Sequence, residues 1–409
     1  MKYDILTVEE IPEYLAHRAL SSENPDQLDL GEISSIVEVG DGNLNLVFIV
    51  RAVSGSGVVL KQALPYVRLV GPDWPMTPER ARIEVTTTKL HAEVAPDLVP
   101  AIYDFNPERY IIAMEDLSDH VVWRTALNAS EHPIGVAAAM GTYVAKVAFG
   151  TSLFAVETKE LARRKERAQN PELCAITEDL VFTEPYVESA RNSFLEQNAP
   201  DVQAIARDRE HIVEMAQAKW IFMTHGEALI HGDLHTGSVM VKTGSENLAE
   251  SSKAFDSEFA FYGPVAFDLG ALWANYSIAA ARAYALGEDD RAEKCLLLTK
   301  ETWEEFETEF RRLWPERTDK RIYSDFFLDA LMSRWRGETW LFASAKMIRR
   351  IIGLAKTSDI ETLVPELREG AARGILQLGQ AAAKSRKEDS DPRAFIDLAR
   401  TVLTRTRTN

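Results

Sequence analysis

The segment IHGDLHTGSVM at 230–240 sets His231, Asp233 and His235 on alternate positions, and AFDSEFAFYGPVAFD at 254–268 adds Asp256, Glu258 and Asp268. Acidic groups framed by short apolar runs suit phosphoryl transfer, which needs a polarised phosphate, a hydroxyl in line with it, an acid to orient that hydroxyl, and oxygens for a metal. Asp233 is the candidate base, with His231 bracing the loop through hydrogen bonds. Asp256 and Glu258 stand two residues apart after a short apolar strand. In extended chain their side chains share a side, which suits a common Mg2+. His231, Asp233 and His235 also have a zinc reading if that stretch is extended. No compact third-ligand pattern accompanies it, and the second acidic motif fits phosphoryl transfer better. Asp268 opens the helical run ALWANYSIAAARAY, where it would cap backbone N–H groups or hold the loop in place.

Further candidates lie on either side. GDGNLN supplies Gly40, Asp41, Gly42, Asn43 and Asn45 between two expected strands. Its backbone N–H groups could lean over phosphates, although Asp-Gly is equally a plain hairpin turn. There is no GxxxxGK[ST], so no P-loop is indicated. Lys61 follows three apolar residues in VVLKQAL. Buried, it would need a carboxylate partner; on a solvent-facing strand it would need none. The helix TPERARIEVTTTKL offers Glu84 and Glu79, of which Glu84 is preferred. A Lys–Glu pair of this kind holds the lysine against nucleotide phosphates. MEDL at 114–117 is either a polar strand end or a strand edge presenting backbone groups of Met114 and Glu115 to an adenine, with Met114 covering the ring. KMIRRIIGLAK sets Lys346, Arg349 and Arg350 at i, i+3 and i+4 on one helix face. They are surface cations or hold a sugar or the transferring phosphate.

The elements that must position these groups fall into two textures. Between Ile33 and Val70, β-branched and aromatic runs alternate with Gly/Ser turns, an antiparallel signal. A helix follows Pro78, with Ile83, Leu90 and Val94 able to share an apolar face, and then two short strands around NPER. After Leu117 long helical runs dominate, at 133–158, 201–221, 266–287, 299–314 and 324–356, with the short strands LIHG, SVMVK and KAFD among them. Residues 171–200 lack a clean period and read as an excursion. The expectation is α+β and bilobal: a small antiparallel-sheet lobe over 1–116 and a larger, mainly helical lobe over 117–409.

Bulk properties narrow the partners. At 409 residues the chain exceeds the size one core usually serves, and 46% hydrophobic with 27% charged residues is an ordinary globular balance. A net charge of −17 works against nucleic acid and anionic membrane, while an anionic ligand such as ATP would need local cations or N–H groups. The two cysteines, Cys174 and Cys295, fit a reducing compartment. The acidic start MKYDILTVEEIPEYL is unlike a signal peptide, and the apolar stretches break before membrane-spanning length. The expected location is cytoplasmic, with no membrane or nucleic-acid partner.

Together, HGDLHTGSVM, DSEFAFYGPVAFDLG, WPMTPERARIE and MIRRIIGLAK resemble the 5-methylthioribose kinase family of the protein-kinase-like, aminoglycoside-phosphotransferase-like fold group. The resemblance spans nearly the whole chain. HGD alone marks only the broad group; HTGS with EFAFYGP and the distant MIRR is narrower. It implies Asp233 as catalytic base, Asp256 and Glu258 at the metal, Lys61 on the phosphates, GDGNLN as the nucleotide-covering loop and the Met114–Glu115 backbone as the adenine contact. It also implies that Arg349 and Arg350 lie near the methylthioribose and the transferred phosphate, with Trp74 and Asn43 at the sugar. The implied reaction is phosphorylation of the C1 hydroxyl of 5-methylthioribose by ATP and Mg2+ in methionine salvage, by a homodimer. Two departures stand out. Ser238 replaces the asparagine usual in the wider group, a change these kinases share, and Ser257 stands where proline is common. Alternatives are a kinase of another small sugar, an amino alcohol or an antibiotic, where the Arg349–Arg350 pair argues against cationic acceptors, and a nucleotide-binding pseudokinase, against which the retained Lys61, Asp233, Asp256 and Glu258 argue.

Overall fold

The computed structural model describes residues 3–20, 28, 30–40, 44–68, 71, 73–386 and 390–408. A short helix α1 (Ile11–Ala16) precedes strands β1 (Ile33–Glu38), β2 (Asn45–Ala52) and β3 (Gly57–Ala63). Helix α2 (Arg80–Val94) and strands β4 (Ile102–Asn106) and β5 (Ile111–Glu115) complete this part. The five strands form one sheet in the order β1-β2-β3-β5-β4, every pair antiparallel. Alternation along β3 sends Val58 and Leu60 to a core with Phe48, Val50, Ile111 and Ala113 under α1. Val59 and Ala63 go to the opposite face, against Ala81 and Val85 of α2. Lys61 shares that second face by strand period, which is why it meets α2.

The inner face of α2 corrects the expected apolar stripe. Ile83 is buried, but Leu90 and Val94 are only partly so, and Arg80, Glu84, Thr87, Thr88 and His91 are buried beside it. At spacings of three and four these polar residues line one side of the helix. His91 shows how they are accommodated: Tyr143 Oη lies 2.8 Å from Nδ1 and Leu229 O 2.8 Å from Nε2. The ring is thus neutral, its Nε2–H donating to the carbonyl.

The rest is mainly helical. A two-residue strand β6 (Val121–Val122) leads into α3 (Trp123–Asn128), α4 (Val136–Gly150), α5 (Thr158–Arg167), α6 (Pro171–Phe182), α7 (Ala199–Arg207) and α8 (Arg209–Thr224). Strands β7 (Ala228–Ile230), β8 (Val239–Thr243), β9 (Ala249–Ala254) and β10 (Phe261–Gly263) come next, then α9 (Val265–Ala285), α10 (Asp289–Leu313), α11 (Asp325–Ile352), α12 (Ser358–Glu361), α13 (Pro365–Ser385) and α14 (Pro392–Thr406). The expected excursion at 171–200 instead begins with α6, whose Pro171 sits at the helix start, where its missing N–H costs nothing. The expected single run at 201–221 is split at Asp208, whose side chain accepts from His211 N and caps α8. Every residue of α9 except Arg282 is buried, and α11 is buried without a break from Gly337 to Ile352. These two helices cross closely at Gly270, where a Cβ would lie 2.6 Å from Phe342 Cβ and 2.8 Å from Ala343 N. The architecture is the bilobal, protein-kinase-like α+β fold, a small antiparallel sheet beside a larger helical body. Among the described residues no helix is long and apolar enough to cross a membrane.

Candidate active site

The HGD loop leaves the end of β7, which pairs antiparallel with β10. Gly232 has φ +82°, and a Cβ there would lie 2.1 Å from Phe259 O, so the turn admits only glycine. Asp268, in the first turn of α9, accepts from His231 N at 2.8 Å and Gly232 N at 3.1 Å. Of its two expected roles, the side chain therefore holds the loop rather than capping its helix, whose N-cap is Pro264. His231 reaches Phe255 O at 2.9 Å through Nε2, and its Nδ1 accepts from Asp233 N at 3.3 Å. His235 Nδ1 accepts from Gly237 N at 3.0 Å, and the Ser238 hydroxyl lies 3.1 Å from both Asp233 O and His235 Nδ1. These bonds occupy the imidazoles within the loop. Among the described residues, the side-chain groups close enough to share a metal lie elsewhere.

The Asp233 carboxylate faces α11. Lys346 Nζ donates to its Oδ1 at 2.8 Å, and Arg349 Nη2 stands 3.9 Å from the same oxygen. His235 Nε2 is 3.5 Å from Oδ2. Burial works against the Asp233 charge, but Lys346, His235, Arg349 and Arg350 hold its carboxyl well below the ordinary range. Burial also draws the Lys346 ammonium down to about 8, with Asp233 pulling the other way. Arg350 donates to the carbonyls of Ala355 and Lys356 at 3.4 and 3.3 Å, while Arg349 Nε is buried with no partner among the described residues. Arg124 of α3 adds a further cation: it donates to Asn275 Oδ1 at 2.7 Å and stands 3.1 Å from Asp359. In a chain of net charge −17 this is a local concentration of positive charge. Sequence reasoning placed Lys346 on the right helix face but missed Arg124, which no motif marks.

The second cluster joins sheet and helices. Lys61 Nζ lies 2.8 and 2.7 Å from the two oxygens of Glu84 and is also ion-paired with Asp256. Glu79 instead pairs with Arg82 at 2.8 Å and accepts from Tyr110. Glu258 Oε2 accepts from Asn45 Nδ2 at 3.1 Å and Arg80 Nε at 3.2 Å. Arg80, fully buried, also bonds the carbonyls of Leu44, Leu64 and Thr77 and the Asn45 side chain. Sequence reasoning missed it, because an arginine at a helix start reads as solvated. Glu84, Asp256 and Glu258 bring oxygens within 4.8 Å of one another. The extended alternation expected for Asp256 and Glu258 is not how they meet. Asp256 has φ +68°, a left-handed turn that aspartate tolerates, and the adjoining Ser257 hydroxyl is 3.2 Å from Thr88 Oγ1. Burial lifts Glu84 to about 7, against Lys61 and with the charges of Asp256 and Glu258, and raises Glu258 likewise. Burial opposes the Lys61 charge, but Asp256, Glu84 and Glu258 together keep its ammonium protonated.

The remaining candidates are placed as follows. Met114 is buried against Ile112 and α2, and Glu115 N donates to Ala101 O at 2.9 Å, with its carboxylate 2.9 Å from Lys253. Gly40 is exposed at the turn after β1; Asp41, Gly42 and Asn43 lie outside the described residues. Trp74 packs in a small cluster with Leu44 and Phe259, sequence neighbours of Asn45 and Glu258, and Arg191 lies 5.3 Å over its ring.

The model of the phosphotransferase enzyme family matches residues 35–307. A methylthioribose kinase of Pectobacterium carotovorum is 38% identical over 88% of this chain and 90% of its own length. One of Yersinia enterocolitica is 38% identical over 84% and 86%. Among solved structures, a Plasmodium vivax ethanolamine kinase is similar over 91% of this chain and 81% of its own, at 13% identity and a TM-score of 0.41. That likeness is too distant to bear on substrate. With a buried carboxylate held on a fixed loop and a lysine of the sheet paired with a glutamate of α2, the chain belongs to the phosphotransferase enzyme family and, within it, to the methylthioribose kinases.

Proposed function

We infer that this protein transfers the terminal phosphoryl group of ATP to 5-methylthioribose, the step by which methionine salvage captures that sugar. The observation that carries the reading is the similarity to methylthioribose kinases over nearly nine-tenths of the chain. In finer detail the acceptor is the C1 hydroxyl and Asp233 is its base. Oδ2 takes the hydroxyl proton, the hydroxyl oxygen bonds to the terminal phosphorus, and the bridging P–O bond breaks with its electron pair going to ADP. What supports this assignment is that Asp233 stays ionised beside the cations Lys346, Arg349 and Arg350, where a phosphoryl group's charge would also be balanced. Arg349, with a buried N–H unpartnered among the described residues, is the better placed of the arginine pair to bond an anionic oxygen, while Arg350 ties the end of α11 to the following loop. Asn43 and Trp74 would border the sugar.

Gly40 to Asn45 would cover the nucleotide, Lys61 would contact its phosphates, and the strand end at Met114–Glu115 would meet the adenine. The Glu115 N–H is already bonded to Ala101, so chain just beyond it must supply any donor. Asp256 and Glu258, with Glu84 behind them, fit Mg2+: the donors are all oxygens within 4.8 Å, and burial leaves two of these carboxyls raised, which a cation would relieve. When bound, Mg2+ neutralises triphosphate charge. Arg80 and Asn45 orient Glu258 for it. We propose the lobe boundary between 116 and 117, a homodimer on the family resemblance, and a cytoplasmic setting, with which the two cysteines agree. The test is a Mg-ATP phosphotransfer assay with 5-methylthioribose, ribose and choline, with the product located by NMR. A C1 phosphate from 5-methylthioribose is expected; preferential use of ribose or choline would overturn the substrate, and turnover retained in Asp233→Asn would overturn the base.

A further inference from the structure

We propose that Lys346 is a positioning residue for phosphoryl transfer: reaching in from α11, its ammonium fixes one carboxylate oxygen of Asp233 and leaves the other to receive the acceptor's proton. The inference rests on Asp233 being the base. Lys346 Nζ bonds Oδ1 at 2.8 Å from a side chain only 4% exposed. Among the described residues Oδ2 receives no hydrogen bond, and the neutral His235 ring stands 3.5 Å from it through Nε2. One oxygen is therefore fixed and the other is open.

The lysine is itself held. Its Nζ lies 4.3 Å over the Phe267 ring, and Phe267 precedes Asp268, whose carboxylate binds the His231 and Gly232 amides. Helix α9 thus fixes the backbone of the loop while α11 fixes its reactive side chain, and Phe267 wedges between them, 5.3 Å from Phe342 one turn before Lys346. Of Lys346, Arg349 and Arg350 on α11, only Lys346 is within hydrogen-bond distance of Asp233. A compact ammonium fits this role, since it directs a proton at one oxygen without spanning both, as a guanidinium fork tends to do. Lys346 keeps its own proton; the acceptor's proton goes to Oδ2.

A counterion that merely prevented an unpaired buried charge would show the same contact, so the test must read chemistry. The groups facing Asp233 are Lys346, Arg349 and Arg350 from α11 and His235 from its own loop, with Arg124 of α3 facing His235 and Asp268 of α9 facing Lys346. Lys346→Met, Lys346→Arg and Asp233→Asn in the full chain are compared for kcat, both KM values and Mg-ATP affinity from pH 5 to 10, with and without added methylammonium. Lys346→Met is expected to lower kcat by on the order of 100-fold while Mg-ATP affinity stays within about three-fold, and methylammonium is expected to restore part of the rate. Burial draws the Lys346 ammonium to about 8, so the alkaline fall in kcat near that pH should disappear in Lys346→Arg, whose charge persists. Near-normal kcat in Lys346→Met overturns the proposal. So does a loss that methylammonium does not recover combined with an unchanged alkaline limb in Lys346→Arg, which would mark a structural counterion. If Lys346→Met does not fold, the Lys346→Arg profile decides. An active Asp233→Asn would mean that the base assignment has failed; an inactive one beside an active Lys346→Met would mean that only this inference has.

Discussion

Gly232 shows how much a single residue carries. Its positive φ and its approach to Phe259 O leave no room for a β-carbon, and the next residue is Asp233. Gly232→Ala must therefore bend the loop or push it from β10, shifting the carboxylate by a fraction of an ångström or more. The expected result, read from kcat with Mg-ATP affinity as the control, is a rate loss on the order of 100-fold and a stability loss of about 1–3 kcal/mol. At this scale the sequence was most informative where residues do chemistry through their type. Asp233, Asp256, Glu258 and Lys61 could be named as candidates from their types and spacing, and the structure brings Lys61, Asp256 and Glu258 into one cluster with Glu84. Arg80 could not, since its meaning comes from the carbonyls of Leu44, Leu64 and Thr77, which converge only after folding. Nor could spacing choose among Lys346, Arg349 and Arg350; a few degrees of helix rotation decides which cation touches Asp233.

Helices α9 and α11 are the elements on which the site depends. Both were visible in the sequence because their apolar periodicity runs long and unbroken, as were the strands of the sheet, with their β-branched runs and Gly/Ser turns. The inner face of α2 was not, because its buried residues are polar and a hydrophobic period cannot see them. Helix α6 was hidden by Pro171, which opens it instead of breaking it. The close crossing at Gly270 gives a direct test of element placement. Gly270→Ala gains helix propensity but drives a methyl into Phe342 Cβ and Ala343 N, so the helices must part. Overpacking is expected to win, with a net loss of about 1–3 kcal/mol in denaturant unfolding. A fall in kcat should accompany it, because Asp268 and Lys346 approach the same loop from these two helices. A variant more stable than the parent would show that the crossing can relax.

On the scale of the whole molecule, buried ionisable groups tie stability to pH with opposite signs. Burial pushes Glu84 and Glu338 up to about 7, so the native state is penalised as pH rises from the ordinary carboxyl range toward 7. Burial pulls His91 down to about 3 and His211 to about 4, so their contribution is full above about 6.5 and is lost as pH falls toward those values. His211 can be isolated, since both its ring nitrogens are buried without partners among the described residues. Relative to the parent, His211→Leu should gain about 2 kcal/mol in unfolding free energy between pH 7.5 and pH 5, measured by urea denaturation. An unchanged difference would mean that His211 takes up a proton in the native state. Geometry sets a further condition on the whole. Helix α11 has 28 residues, starting beside Phe326, 87% exposed, and ending at the buried Arg349 and Arg350. At about 1.5 Å per residue, Lys346 lies roughly 32 Å along this rod, where a tilt of about two degrees about the outer end sweeps the ammonium through about 1 Å. A displacement of that size is enough to spoil an aligned proton transfer. The position of Lys346 thus inherits an angular tolerance of a couple of degrees from a lever whose outer end is held by Leu328, Leu331 and Met332 while Phe326 stands in solvent.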